Sequence, residues 1–463
     1  MVVVVREILS TPALLVGLVT LSGLLLQRKP VEQVVKGTSI AIVGFVLLSA
    51  GSAYLEQGAL RDFSILFNYD FHIQGVIPNV EAVAALGIAR YAAEVSAVML
   101  LGMAANLIMA KYGPFPYIFL TGHHTLYMAC LLTVVLHQSS MKSWQIIVGG
   151  ALVLGLLMAW IPSLAEKSVK RITGGERIAL GHFSTIGYLS AAWVASLTVK
   201  KGEERKKVED IHFTKHLSFM RDSTVGIFLV TTVLFLLISG IAAMRTDLNT
   251  LDISYRSGGY GHWIIYALIQ GAGFSVGIYI ILAGVRLVVG EIVPAFKGIA
   301  KKAVPHAKPA VDCPILFTYA PNAVMLGFLV SFAGGIFTML LLMAVNAWYG
   351  ALVVPVIVPG VAAHFFCGGT AGVFANAEGG LKGCIAGSFV HGILISLLAL
   401  FVMPVLGTLN LSGTTFSDTD FCVAGILFGE LAQWIPENAV FAICVCCFAL
   451  PIIWQRFKKR MAE

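Results

Sequence analysis

In "TGHHTLYM", Thr121 to Met128, two adjacent histidines stand inside a stretch from Tyr112 to Met141 that holds no Asp, Glu, Lys or Arg. Ionisable side chains in so apolar a setting are costly and mark function by default. The chain repeats the device in "LGHFST", where His182 also follows a glycine, and it sets Glu81, Arg90, Glu94, Asp312, His364, Glu378 and His391 in or beside other apolar runs. A neutral imidazole both donates and accepts hydrogen bonds. Two histidines that follow glycine in separate apolar segments therefore suit recognition of a hydroxylated ligand. His124, one helical azimuth on from His123, reads as its structural neighbour. His391, alone in "SFVHGILISLL", reads as a hydrogen-bonded packing residue. Arg90 and Glu94, spaced i and i+4, read as a pair that neutralises itself on one helix face. Asp312 follows a basic stretch and opens "CPILFTYAPNAVMLGF". Its carboxylate is either an acceptor for ligand hydroxyls or the cap of the helix that starts there.

Covalent chemistry finds no footing. There is no GxxxxGK[ST], no GxGxxG after a strand and no soluble catalytic domain. No HxxxH with a helical carboxylate partner offers metal-ligand spacing. The eight cysteines fall almost entirely in apolar segments, and Cys444 with Cys447 in "AICVCCFAL" has no second pair or histidine nearby. They read as packing residues. The expectation is a protein with no catalytic residues, no bound metal and no cofactor.

The elements that position these side chains are membrane helices. The chain is 58% hydrophobic and 12% charged, with a mean hydropathy of +0.88, whereas soluble domains carry about 25% charged residues. Uncharged runs long enough to cross hydrocarbon recur at Ile8–Gln27, Gly37–Leu55, Ser143–Ala165, Ser223–Met244, Trp263–Val285 and Asn438–Gln455, besides an uncharged stretch from Cys313 to Ala377. Roughly ten or eleven crossings fit. The first run lacks an A-x-A-like cleavage site and reads as a retained helix. Positive clusters at Arg28–Lys36, Lys167–Arg177, Lys200–Lys215, Arg286–Lys308 and Arg456–Arg460 are cytoplasmic by the positive-inside rule, and the segment 408–437, with Asp418, Asp420, Glu430 and Glu437 and no Lys or Arg, belongs outside. The N-terminus is then outside and the C-terminus inside. The net charge of +7 reflects this topology and not a nucleic-acid partner. The polar insert at 200–216 reads as a solvated, orienting loop.

Two halves follow one plan. "VEQVVKGTSIAIVGFVLLSAGS" and "EIVPAFKGIAKKAVPHAKPAVDC" each carry Lys-Gly after an apolar helix, and fifteen residues on from Lys36 and Lys297 stand Gly51 and Asp312. Internal repeats with a ligand at their interface mark secondary-type transporters. The division is 1–199, a first transmembrane half; 200–262, a cytoplasmic loop and linking helix; and 263–463, a second half. Gly-rich interruptions at 173–190 and 365–380 are either re-entrant hairpins lining a substrate path or kinks in spanning helices.

The stretches "TPALLVGLVTLSG", "VKGTSIAIVGFVLLSAGS", "FLTGH", "PAFKGIAKKAVP", "DCPILFTYAPNAVMLGF" and "TAGVFAN" followed by "GG" resemble the ascorbate-type IIC permeases of the bacterial phosphoenolpyruvate-dependent phosphotransferase system. The resemblance runs from about residue 12 to about residue 385. It implies an all-α polytopic protein of the bacterial inner membrane, with about eleven helices, a dimerising scaffold and a core that moves in an elevator-like manner. It also implies a homodimer, and partners in separate IIB and IIA proteins and, through them, the histidine phosphocarrier protein. The family's binding positions fall on Gly51, Ser52, His123, His182 and Asp312, and the matched "TAGVFAN" adds Thr370. Departures are as telling. Tyr127 and Met128 replace glutamines in the family's TGHxxxQQ, Phe183 replaces another in GHQQQ, and a Thr-Tyr pair appears as Val80–Glu81. Losing side-chain amides changes which ligand groups can be matched. Aromatic Tyr127 and Phe183 favour stacking on a sugar face, while Glu81 accepts hydroxyl protons and repels an anion. The reading is a permease for a small carbohydrate, ascorbate or a related sugar or polyol. The alternatives are a facilitator or ion-coupled carrier of the same fold, and a membrane sensor that binds without transport.

Overall fold

The computed structural model describes residues 27–462 except 73–74, 176–177, 200–205, 211–222, 305 and 412, with scattered positions between 13 and 25. The expected first crossing, Ile8–Gln27, thus lies largely outside the described residues. Eight helices among the described residues are long and apolar enough to cross a membrane, and two shorter apolar helices, Gly122–Leu136 and Thr185–Leu197, are too short to do so alone. The protein is a multi-pass, mostly helical membrane protein. In chain order the helices are α1 (Val31–Gln57), α2 (Ala59–Phe71), α3 (Val80–Tyr112), α4 (Gly122–Leu136), α5 (Ser143–Thr173), α6 (Thr185–Leu197), α7 (Ser223–Arg245), α8 (Trp263–Ala303), α9 (Pro321–Tyr349), α10 (Gly369–Val402), α11 (Thr419–Trp434) and α12 (Glu437–Ala462).

Six short strands interrupt this helical order: β1 (Gly75–Pro78), β2 (Tyr117–Phe119), β3 (Ala179–Leu180), β4 (Lys308–Val311), β5 (Val356–Ile357) and β6 (Thr414–Thr415). They form two three-stranded sheets in the orders β5-β1-β6 and β2-β4-β3, parallel throughout. Each sheet takes its central strand from one end of the chain and both edges from the other. In a bilayer, backbone outside a helix must find partners within the protein, and these sheets supply them. Where an edge would stay open, an asparagine closes it. Asn106 donates to the Tyr117 carbonyl and accepts from the Phe119 N–H, both at 3.1 Å. Asn346 does the same before β5, donating to the Val354 carbonyl at 2.8 Å and accepting from the N–H groups of Val353 and Val354.

Of the two Gly-rich interruptions, the second is a helical hairpin. At Gly380 the backbone leaves the helix (φ 59°, ψ −150°), and a Cβ placed on Gly383 or Gly387 would lie 3.1 or 2.9 Å from atoms of Ala375. In a straight helix those positions would be about 12 and 18 Å from Ala375 along the axis. Gly379 at the reversal and Gly383 and Gly387 on the returning arm face Ala195 and Ala191 of α6. Small residues at four-residue spacing let two membrane helices approach backbone to backbone. The first interruption is an extended passage: α5 ends at Thr173, Gly174 and Gly175 take positive φ, and β3 leads into the thirteen-residue α6.

Two polar devices pin these short elements. The start of α6 is capped by the start of α11: Asp420 accepts from the Thr185 N–H at 2.8 Å and the Ile186 N–H at 2.9 Å, and the Thr419 hydroxyl accepts from the Gly187 N–H at 2.9 Å. The hairpin is held by the polar insert. Glu209 accepts from the Ala323 N–H in the first turn of α9 at 3.0 Å and from the Asn376 amide at 2.6 Å, while the Val208 N–H donates to Asn376 Oδ1 at 3.0 Å. The Leu381 N–H, just past the reversal, donates to the Lys206 carbonyl at 2.8 Å. The described part of the insert, 206–210, is therefore a strap across the hairpin that buries Val208 and leaves Lys206, Lys207 and Asp210 exposed. His391 is the packing residue expected: with His364 it shares the Ser331 hydroxyl, at 3.1 and 2.9 Å.

Several expectations are corrected. Asp418 and Asp420 are buried, so they are not exterior loop charges, and only Glu430 and Glu437 still speak for that side. Gly51 lies in the last third of α1, where a Cβ would meet Ile281 of α8 at 2.9 Å, whereas Asp312 directly follows β4. Equal spacing from Lys36 and Lys297 does not bring them to equivalent places. The expected Arg90–Glu94 pair flanks a bend in α3 at Tyr91 (φ −126°, ψ 36°), and Glu94 also receives the Ser143 hydroxyl at 3.4 Å.

Two substitutions test these devices. Asp420→Ala removes both acceptors from the α6 start and should lower hydrogen-exchange protection of the Thr185 and Ile186 amides by about 1–3 kcal/mol, with Asp420→Asn losing less. Glu209→Ala should lower protection at the Ala323 amide by about 1.5–3 kcal/mol and speed proteolysis within 206–210, leaving α1, α7 and α8 unchanged.

Candidate functional site

A cavity of about 500 Å³ lies where the two sheets face each other, and every strand-to-helix passage contributes to its wall. After β1 come Asn79, Val80 and Glu81; after β2, Leu120, His123, His124 and Tyr127; after β3, His182; after β4, Asp312 and Pro314; after β5, Ala362, Ala363, Phe366 and Cys367; after β6, Ser417 and Asp418. Arg286 and Gly290 of α8 complete it. Helix starts expose N–H groups and the positive end of the helix dipole, and those of α3, α4 and α11 border this volume.

The register of the β2-β4-β3 sheet sets the histidines against the aspartate. Phe119 pairs with Ala310, and Leu180 with Val311, so the residues just beyond them meet. His123 Nε2 stands 3.3 Å from Asp312 Oδ2, and His182 Nε2 stands 3.8 Å from Asp312 Oδ1. His182 is fixed from behind by the Tyr188 hydroxyl on its Nδ1 at 2.8 Å. Asp312 Oδ1 also accepts from the Cys313 N–H at 2.7 Å. The short helix Pro314–Phe317 that follows takes no side-chain cap, so Asp312 does not cap it, and its carboxylate lines the cavity between the two histidines.

His124 does more than neighbour His123. Its Nδ1 accepts from the Phe183 N–H at 3.3 Å, which leaves the proton of the neutral ring on Nε2. The ring stacks on Phe421 at 5.3 Å and contacts His182 at 3.9 Å between centroids, and it reaches the cavity wall as well. Opposite, Asn79 caps α3 by accepting from the Ala82 N–H at 2.7 Å. Glu81 sits in the first turn of that helix. Asp418, at the start of α11, accepts from the Ser417 hydroxyl at 2.9 Å. The Tyr127 hydroxyl is buried on the wall without a hydrogen-bond partner in the protein. A buried hydroxyl without a partner is costly.

Of the residues singled out in sequence, Glu81, His123, Tyr127, His182 and Asp312 come together on this wall. Three do not. Gly51 is a helix contact, as above. Phe183 is fully buried behind the wall and stacks on Phe119 at 4.7 Å, so it supports His124 through its backbone and does not offer its ring. Thr370 returns its hydroxyl to the Phe366 carbonyl at 2.7 Å. The side chain of Ser52 lies outside the described placements. Asn79, Arg286, Ser417 and Asp418 were missed. Arg286 was counted among peripheral cations and Asp418 among exterior acids. Asn79 and Asp418 did carry a signal, a capping residue directly before an apolar run, which at mid-chain announces a helix start.

The donor set could also hold a cation, since ligand-capable atoms of His124, His182 and Asp418 lie within 4.8 Å of one another. The same atoms serve equally as hydrogen-bonding groups for a ligand rich in hydroxyls.

Comparisons with known proteins bear on this arrangement. Over 445 residues the chain is 25% identical to the ascorbate-specific PTS system EIIC component of Mycoplasma pneumoniae, a match that covers 85% of this chain and 65% of that relative. The family model for the PTS system sugar-specific permease component, EIIC-GAT, matches residues 7–420. With its helix starts gathered on one polar cavity and nearly its whole length matched, the chain belongs to the EIIC-GAT family of phosphotransferase-system permease components.

Proposed function

We propose that this protein is the IIC permease of a phosphotransferase system, which binds a small carbohydrate at the cavity between the two sheets and carries it inward. A separate IIB protein then phosphorylates the sugar through a phosphocysteine, and IIB is recharged from IIA and the histidine phosphocarrier protein. The chain itself holds no catalytic residue in this scheme. Ascorbate, the ligand in the relative's name, belongs with related sugars and polyols on the list of substrates to try. The observation that carries the reading is the cavity itself: six strand-to-helix passages converge on it, and the buried Tyr127 hydroxyl has no partner in the protein.

The interleaved sheets support a two-repeat plan, in halves 1–199 and 263–463 joined through 200–262. Under it β1, β2 and β3 correspond to β4, β5 and β6, and Asn106 before β2 corresponds to Asn346 before β5. The packing also supports a scaffold and a carrier. Helices α1 and α7 both pack on α8, and α6 and α9 both pack on α10, which makes a second group. The α6–α10 pair, close-packed through Gly379, Gly383 and Gly387, would travel as one rigid piece in an elevator-like step. Exposed apolar side chains such as Leu340 and Leu341 on α9 and Ile264 and Ile265 on α8 suit lipid or a second copy in a homodimer. The cationic end of α12, Lys458 to Arg460, supports a cytoplasmic C-terminus and an N-terminus outside a bacterial inner membrane.

Uptake into sealed vesicles, with and without phosphorylated IIB inside, tests the reading. Accumulation of a sugar phosphate that requires IIB is the expected result. Equilibration of unmodified sugar without IIB would replace it with a facilitator. His123→Ala, which removes the imidazole facing Asp312, should cut uptake by about tenfold or more in protein that still folds.

A further inference from the structure

We infer that Tyr188 is a positioning residue for the cavity: its hydroxyl sets which nitrogen of His182 carries the proton and where that nitrogen points, and the two arms of the helical hairpin hold its ring in place. The inference rests on the permease reading for its consequence in transport, and the protonation it assigns is measurable in the protein alone.

His182 is 2% exposed and Tyr188 is fully buried. The 2.8 Å between the Tyr188 hydroxyl and His182 Nδ1 is a full hydrogen bond. The two groups by themselves leave its direction open, because a phenol both donates and accepts, and a neutral imidazole donates at one nitrogen and accepts at the other. The far side of the ring decides it. His182 Nε2 stands 3.8 Å from Asp312 Oδ1, and a bare nitrogen there would set its lone pair against a carboxylate oxygen. The proton therefore belongs on Nε2, and the Tyr188 hydroxyl donates to Nδ1. Burial opposes a second proton on the ring. His124 is arranged alike, with Nδ1 accepting from the Phe183 N–H, and His123 turns Nε2 to Asp312 Oδ2 at 3.3 Å. Asp312 thus stands between two N–H donors, and Tyr188 fixes one of them.

The place of the Tyr188 ring extends this link to the hairpin. Tyr188 is in the first turn of α6. Its ring lies 5.4 Å from Phe374 on the outgoing arm and stacks on His391 of the returning arm at 6.2 Å, with 23° between the planes. Gly187 beside it leaves no slack, since a Cβ there would stand 2.8 Å from Thr419 and 3.0 Å from His391. His391 is in turn held by the Ser331 hydroxyl at 3.1 Å. A ring packed this closely keeps one orientation, so the hydroxyl arrives at His182 Nδ1 already aimed. Phenylalanine would fill the same space, and packing alone does not call for a tyrosine. The hydroxyl is the part that reaches the site.

Tyr188→Phe keeps the ring and removes the donor. In protein labelled with ¹⁵N at histidine and held in lipid bilayers, solid-state NMR reads which ring nitrogen is protonated, and the signal lost in His182→Gln identifies His182 among the eleven histidines. The expected result is a single Nε2–H form in the unmodified protein and a mixture of the two neutral forms in Tyr188→Phe. An Nδ1–H form in the unmodified protein, or an unchanged Nε2–H form in Tyr188→Phe, would overturn the inference. Ascorbate serves as the probe for the consequence, in sealed vesicles with phosphorylated IIB inside. Tyr188→Phe should raise the half-saturating concentration about tenfold, leave the maximal rate within about twofold and add no further loss in a His182→Gln background. An equal loss in that background would mean that the hydroxyl acts through packing and not through His182, and would overturn the positioning role. Absence of ascorbate uptake by the unmodified protein would count against the permease reading for this sugar, and the NMR result would still decide the role of Tyr188.

Discussion

Backbone polar groups in a bilayer core must be satisfied inside the protein, and in this chain everything follows from how that is done. Six strands interrupt the helices, and in hydrocarbon their seventeen residues of extended backbone would be orphaned without pairing. Two small parallel sheets take them up, and their register fixes the site. Because Phe119 sits against Ala310 and Leu180 against Val311, His123 and His182 arrive on the two sides of Asp312. A slip of one residue in either pairing would turn the side chains beyond it to the opposite face and separate the histidines from the acid. The ligand wall is thus a product of strand register, even though strands are a minor part of the fold.

What was legible in the sequence was what a side chain advertises on its own. An ionisable residue in an apolar run announces itself, so Glu81, His123, His182 and Asp312 could be picked out, and the long apolar runs gave the helices. The sheets were not legible. "GVIP", "YIF" and "VI" are too short for period-two patterning to rise above the apolar background, and their meaning lies in partners hundreds of residues away. Topology by charge also misled, since it treats an acid as solvated. Asp418 and Asp420 are buried helix-start residues, and Arg286 lines the cavity, so the sequence rule assigned all three by sign where position decides. Gly51 failed for a related reason: fifteen residues counted along a helix do not match fifteen that pass through a helix end and a strand.

The glycine-rich stretch at 365–380 shows the same limit in another form. Its composition left a hairpin and a kink equally open, because both need a residue free of a Cβ. What separates them is the contact of Gly383 and Gly387 with Ala375 and Ala195, a tertiary fact. Once the reversal is in place, the strap 206–210 gains its sense. Asn376 and Leu381 stand on either side of the turn, and at that turn helical hydrogen bonding is broken, so the polar insert supplies the partners the turn lacks.

The helix starts then pose an economy of charge. Each is a place where the chain can put an anion of its own or leave room for one that arrives. Asp420 is wholly committed, with both oxygens on the N–H groups of α6. Asp312 is divided, one oxygen toward Cys313 N–H and both within reach of the two histidines. Glu81 and Asp418 lie nearest the open volume in role: they stand at helix starts, where the dipole favours a carboxylate, and they still face the cavity.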